Sequence, residues 1–327
     1  MKTVEYRKLQ ATLDGTYFVT LPKNWVMGRG LKRGDMLRFE QTFNGRIMVS
    51  PHGVEEKTLK EAILEVSPYL ERLIGEKYLS GYDIIEVRAG AIFSSEVRER
   101  IKKAVKRFVG LEIVEENSRR LVIQCLLEPS LIIPEKVARR VNAISAEMGK
   151  DCISSFIQGD EALAKTVMER DEEVDRQYFL LVRLVRTALT HPYISEKLSI
   201  SPIECLDYRM LASLMEHYAD YSVDIAGVSL RCQPNSWLGV VKEALLEVSL
   251  RMYEMYKDSF ASVLKGDLEL AVEVSRKSCE IKDKLTSIQA GILKNKRVTQ
   301  EFLTDVVMAL NSMCEVCVDI SDLAKAR

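Results

Sequence analysis

From about residue 135 to the end of this 327-residue chain, apolar side chains recur every three to four positions. That is the period of amphipathic helices. The pattern breaks at Gly159-Asp160, His191-Pro192, Gln233-Pro234, Gly266-Asp267 and Lys294–Arg297, which leaves six helices. Each spans roughly 20–30 residues, the length of bundle helices. Pro129 and Pro134 mark a linker ahead of them.

Upstream the pattern changes. Residues 55–79 read as helix, interrupted near Ser67-Pro68. Then come a strand at Ile84–Ala89, an amphipathic helix at Ser94–Phe108, and strands at Leu111–Glu116 and Leu121–Leu127. This βαββ order predicts a small α+β domain over 55–130. It holds no chemical motif, and Lys102, Lys103, Lys106 and Arg107 read as a solvated helix face. Residues 4–51 alternate short strands and turns. A β-rich run, Tyr17–Leu21, ends at Pro22, which opens a short helix at Lys23–Met27. Segments Met36–Phe43 and Arg46–Val49 flank Asn44-Gly45, a hairpin-turn signal. A head of about fifty residues buries little by itself and needs a partner.

The helical part repeats itself. Gly159-Asp160-x-x-Leu163-Ala164-x-x-Val167 matches Gly266-Asp267-x-x-Leu270-Ala271-x-x-Val274. Ser213-x-x-Glu216-x-x-x-Asp220 matches Ser312-x-x-Glu315-x-x-x-Asp319. Two matches in the same order predict a duplication of a three-helix unit, with repeats at about 135–231 and 236–327.

The second match carries the candidate chemistry. Glu and Asp four apart lie one turn apart on one helix face, where like charges repel unless a cation joins them. Asp224 and Asp322 extend the two sets, and Asp171 and Asp175 on the preceding helix add to the first. No lysine or arginine occurs from Met210 to Leu230 or from Val298 to Ala324. On a helical wheel Leu211, Leu214, Tyr218, Tyr221 and Ile225 form the apolar stripe of the first signature helix, with Glu216, Asp220 and Asp224 opposite. In the last helix Val306, Leu310, Met313, Cys317 and Ile320 form the stripe, and Glu315, Asp319 and Asp322 face away. These eight carboxylates are the candidate ligands for divalent or trivalent ions, with Fe, Mn, Mg or Zn in view. Oxygen ligands suit hard cations. The chain has three histidines, which argues against histidine-rich zinc chemistry. The second repeat has Ser278 and Lys282 where the first has Asp171 and Asp175, so the two sites differ. A solvated acidic surface is the plain alternative. Cys314-x-x-Cys317 reads as buried structure, because Cys317 lies on the apolar stripe.

Charge is uneven. Residues 1–53 carry nine Lys/Arg and four Asp/Glu, a net +5, whereas residues 135–327 carry twenty-five against thirty, a net −5. The two ends therefore suit different partners. Seven cysteines without framework spacing, no leader-like start and no spanning apolar run fit a reduced, cytoplasmic protein with no membrane insertion.

These motifs resemble known families. The duplicated three-helix units, each with an acidic motif in the third helix, are similar to PhoU, the phosphate-uptake regulator. That family's pattern is Glu-Arg-Ile-Gly-Asp-His-Ala-x-Asn-Ile-Ala. The chain has Glu216-His-Tyr-Ala-Asp220-Tyr-Ser-Val-Asp224-Ile225-Ala226, whereas the copy at Glu315–Asp319 keeps only the acids. The resemblance spans about 135–327. It implies surface metal clusters and negative regulation of phosphate transport through a transporter or signalling partner. The head, 1–53, resembles the SpoVT/AbrB class of swapped-hairpin domains, through Gly15–Lys23, Gly30–Asp35 and Asn44–Val49. That resemblance implies a homodimer or higher oligomer through residues 1–53 and contact with DNA through basic residues. Arg7 and Lys8 match the class's basic pair on the first strand. Its paired arginines fall at Val26 and Met27 here, and Arg29, Lys32 and Arg33 stand nearby as further phosphate contacts.

The expected protein is thus a multidomain α+β chain: a swapped-hairpin β head, a small βαββ domain and an all-α bundle of two three-helix repeats. It is expected to regulate rather than catalyse. No nucleophile or base accompanies the carboxylates, which argues against a metal-dependent phosphohydrolase. The alternative is an adaptor that docks on a phosphate transporter or signalling complex without touching DNA.

Overall fold

The computed structural model describes residues 5–41, 45–52, 59–231, 241–293 and 300–326. Asn44, the start of the helix expected from residue 55, and the breaks at Gln233-Pro234 and Lys294–Arg297 lie outside the described residues. The chain divides into two compact units, Met1–Thr58 and Leu59–Arg327.

In the first unit β1 (Gln10–Ala11) pairs antiparallel with β2 (Tyr17–Phe18). Pro22 caps the short helix α1 (Lys23–Gly28). β3 (Leu37–Gln41) and β4 (Ile47–Pro51) form the expected hairpin, antiparallel with Phe39 opposite Val49. None of the described side chains of this unit is buried. Leu9, Tyr17 and Phe39 remain 69%, 71% and 62% exposed. Strands rich in such residues are stable only when their apolar faces are covered.

The second unit begins with a four-stranded sheet, ordered β5-β6-β8-β7. Its strands are β5 (Glu61–Glu65), β6 (Ile84–Arg88), β7 (Leu111–Glu116) and β8 (Arg120–Cys125). The helices α2 (Leu70–Leu79) and α3 (Ser95–Lys106) connect them. The βαββ core stands as expected, and Ser94 caps α3 by accepting from the Val97 amide at 3.2 Å. The helix expected at 55–79 is corrected. Residues 61–65 are a strand parallel to β6, with Ala62 opposite Ile85, and only 70–79 are helical. Glu61-Ala-Ile-Leu-Glu65 has helix-forming residues, but an open sheet edge offers five residues of backbone pairing, which outweighs weak local propensity.

The sheet domain packs on the bundle. Phe108 joins Tyr78 and Phe179 in ring contacts of 4.7 and 5.1 Å. Arg183, 1% exposed, donates to the Tyr78 carbonyl, lies over the Tyr78 ring at 4.8 Å and approaches Asp83 at 3.9 Å.

Among the described residues six long helices follow a 3-10 turn at Pro129–Leu131: α4 (Pro134–Gln158), α5 (Glu161–Thr190), α7 (Pro202–Arg231), α8 (Lys242–Lys265), α9 (Leu268–Leu293) and α10 (Gln300–Ser321). A short α6 (Pro192–Lys197) lies between α5 and α7. Gly159 and Gly266 end α4 and α8 in the left-handed region at φ 66° and 65°. Glycine adopts that conformation without strain. Asp160 and Asp267 then cap α5 and α9 by accepting from Leu163 and Leu270 amides at 3.0 and 2.9 Å.

The duplication extends to side-chain pairs. Arg170 of α5 holds Asp151 of α4 at 2.5 Å, and 107 positions on Lys277 holds Asp258 at 2.7 Å. The offset drops to 99 for the third helix, because α6 lies in the first repeat's second connection. One continuous core joins both halves, with Tyr218 of α7 stacked on Tyr256 of α8 at 3.8 Å.

Candidate cation patch on the helical bundle

The apolar stripes place the carboxylates. Leu211, Tyr218 and Ile225 are buried, with Leu214 and Tyr221 half-buried, so α7 turns Glu216, Asp220 and Asp224 outward. All five stripe residues of α10 are buried, and Glu315, Asp319 and Asp322 are exposed. Cys314 and Cys317 are both buried, and burial holds the Cys314 thiol up at about 12, as a structural role requires.

The structure joins α5 to α7 in the first repeat. Burial pushes the Glu216 carboxyl up to about 7, with Asp220, Asp175 and Asp171 adding repulsion and Arg209 opposing it. Burial likewise raises Asp171 to about 6, reinforced by Asp175, Asp220 and Glu172. Asp175 and Asp220 are also raised, burial being the main cause in both. These four groups share one field. Asp171 Oδ1 is buried without a hydrogen-bond partner, an acceptor oxygen that a hard cation satisfies. Asp224 is exposed beside His217 and Asp220 in a shallow cleft of about 440 Å³.

The carboxylate field is not free of basic groups, as the helix sequences suggested. Arg107, at the end of α3, reaches Asp175 at 3.5 Å, so one member of the run read as a solvated face is engaged. Arg140 holds Glu173 at 2.7 Å. For Asp175 burial still outweighs Arg107. Both arginines come from other elements, which no inspection of α7 alone reveals.

The second repeat differs, as expected from Ser278 and Lys282. The Lys282 ammonium lies 3.3 Å from Glu315 Oε1. Asp319 is raised by burial, then by Asp322 and Glu315, with Lys282 opposing. Here an internal lysine offsets part of the carboxylate charge. Among the described residues no three His, Cys, Asp or Glu side chains converge closely enough to hold a metal ion between them.

The DNA-contact candidates lie in the first unit. Arg7 pairs with Glu5 and donates to Thr20 Oγ1 at 3.4 Å. Lys8, Arg29, Lys32 and Arg33 are exposed.

The helical segment that bears Glu216, Asp220 and Asp171 is recognisable. The PhoU domain family matches residues 138–228, from α4 through α7. Over that segment the chain is similar to a PhoU domain. Residues 10–57 match a second family, described as antidote-toxin recognition MazE, bacterial antitoxin, so the PhoU-like segment is preceded by a domain of the swapped-hairpin kind. The crystal structure of PhoU from Pseudomonas aeruginosa is 11% identical, with a TM-score of 0.44 over 58% of this chain and 93% of that one. No curated protein matches the chain. Among the described residues, no helix is long and apolar enough to cross a membrane.

The raised carboxyls of the PhoU-like segment make its stability pH-dependent with a definite sign. Folded values above the unfolded ones mean that the fold favours the protonated forms. Their stability contribution is complete below the ordinary carboxylate range of about 4. It is lost as pH rises towards about 6 for Asp171 and about 7 for Glu216. In chelator-treated buffer the melting temperature of the wild type, measured relative to Glu216→Gln, should fall across that window. A constant difference would show that Glu216 does not titrate high.

Proposed function

We propose that this protein is a PhoU-type regulator of phosphate transport, in which a cation bound at the first-repeat carboxylate patch conditions the bundle for a partner. The observation that carries this reading is the group of raised carboxyls on α5 and α7, Asp171, Asp175 and Glu216 half-buried and Asp220 exposed, inside the PhoU-matched segment. Asp171, Asp175, Glu216 and Asp220 would supply the negative field that draws the ion, and since no three of them converge on one point, water would complete its shell, with Asp224 at the margin. Bound, it supplies positive charge that cancels their repulsion and attracts an anionic group of a transporter or signalling partner. The donor oxygens suit Fe, Mn or Mg, and Zn less well. Glu315, Asp319 and Asp322 form a weaker second patch because Lys282 already neutralises Glu315. Elemental analysis of protein purified without chelator tests the assignment.

The head is proposed to dimerise the chain and to touch DNA. Its bare apolar strands support the first part. A variant lacking residues 1–53 is expected to show a lower mass in solution by light scattering. Retention of the parent's oligomeric state would remove the head from assembly. For DNA, even two phosphate contacts per subunit give a dimer a slope of about −3.6 in log affinity against log salt. Arg7→Ala with Lys8→Ala should flatten that slope and weaken binding to all sequences alike in a gel-shift salt series.

One observation favours a second reading. Val26 and Met27 stand where the swapped-hairpin class carries arginines. If no DNA binds at about 50 mM salt, where phosphate contacts are strong, the head is a clamp and the protein an adaptor.

A further inference from the structure

A cleft of about 490 Å³ opens between α2 and α3 of the sheet domain. That volume lies within the range of small-molecule sites, roughly 300–1,000 Å³. It lies outside the segment that matches PhoU and meets the carboxylate patch only through Arg107, which contacts Asp175. Arg72, Arg100, Lys103 and Arg107 line it, with Glu71 as the one acid. Arg100 is committed to structure. It holds both oxygens of Glu71 at 2.5 and 2.7 Å and donates to the Ser67 and Pro68 carbonyls at 3.3 and 3.2 Å. That fork clamps α3 to the start of α2, neutralises Glu71 and fixes the width of the cleft. Held walls lower the ordering cost of binding.

Three cations are left to face a ligand. Arg72 and Lys103 are exposed, and no carboxylate among the described residues pairs with either. Arg107 remains 55% exposed at its side chain despite its 3.5 Å contact with Asp175. The remaining lining is apolar. Ala104 and Phe108 are buried in the floor, and Tyr69 presents a ring 68% exposed at the rim beside Pro68. Two guanidinium groups and an ammonium suit phosphoryl oxygens. An unstacked aromatic ring next to them suits a planar base.

We propose that the α2–α3 cleft binds a nucleoside diphosphate, its phosphates held by Arg72, Lys103 and Arg107 and its base on Tyr69. Two unpaired positive charges, Arg72 and Lys103, together with the half-exposed Arg107 that Asp175 only partly engages, suit the negative charge of that ligand, and the volume suits its size better than that of free phosphate.

Calorimetric titration of the full-length protein with ADP, in buffer freed of divalent cations, should show one saturable site per chain. The double variant Arg72→Ala/Lys103→Ala should weaken binding at least about tenfold with an unchanged melting temperature. Tyr69→Ala should weaken ADP while leaving inorganic pyrophosphate unaffected. Glu216→Ala/Asp220→Ala should bind ADP like the wild type, so failure of the carboxylate reading leaves this one standing. Absence of ADP binding, or wild-type affinity in the Arg72/Lys103 variant, overturns the proposal. Equal affinity for ADP and pyrophosphate overturns the base contact. Single-stranded DNA that binds in place of ADP and is lost in the same variant assigns the face to nucleic acid, which also overturns it.

Discussion

Replacing Glu216 and Asp220 together with alanine should empty the first-repeat patch of metal. The affinity loss should exceed about 100-fold, because removing even supporting groups around a metal costs 10–100-fold. The same change should make the metal-free protein more stable near neutral pH. It deletes two carboxyls that burial and mutual repulsion disfavour as anions, one of them held up at about 7. Opposite effects on metal content and metal-free stability distinguish a binding patch from a salt-bridged surface, where deletion lowers stability or leaves it unchanged. Glu315→Ala with Asp319→Ala should lose less metal, since Lys282 already compensates Glu315. Metal content equal to the wild type in both double variants would sink the cation reading.

The second large effect is steric. A Cβ at Gly149 of α4 would lie 2.6 Å from the Tyr218 hydroxyl and 2.7 Å from Cε1. Tyr218 cannot retreat, because it is fully buried and stacked on Tyr256. Gly149→Ala should therefore destabilise the bundle by about 1–3 kcal/mol despite alanine's better helix propensity. Gly227 of α7 has nothing within 4 Å of its would-be Cβ, so Gly227→Ala should stabilise by about 0.5–1 kcal/mol. Thermal melts of the two variants should move in opposite directions. Equal shifts would mean that Tyr218 does not pack against α4.

The duplication explains that packing. By the 107-residue offset Gly149 corresponds to Tyr256, and by the 99-residue offset Tyr218 corresponds to Cys317. Each half pairs one large and one small residue, and the two halves place them on opposite helices. The stacked tyrosines then occupy one shared space in the core. Two tyrosines facing each other within one repeat would overfill it.

Periodicity alone was enough to delineate the bundle, its helix breaks at Gly159, His191 and Gly266, and the buried faces of α7 and α10. These are local properties: a 3.6-residue period, a glycine free to turn left-handed, an aspartate that caps. The repeated Glu-x-x-x-Asp motif was legible for the same reason, since spacing along one helix fixes the face. Residues 61–65 were not legible as a strand, because their conformation is decided by a partner strand about twenty residues away. Nor did the sequence show Arg107 meeting Asp175, or Glu216 sharing a field with Asp171. Those relations depend on how α3, α5 and α7 pack, and burial, which raises the carboxyls, exists only after packing. The sequence by itself determined which residues could carry charge to the surface. Tertiary structure decided which charges meet, because Coulomb and desolvation energies depend on distance and solvent access, and chain spacing specifies neither across helices.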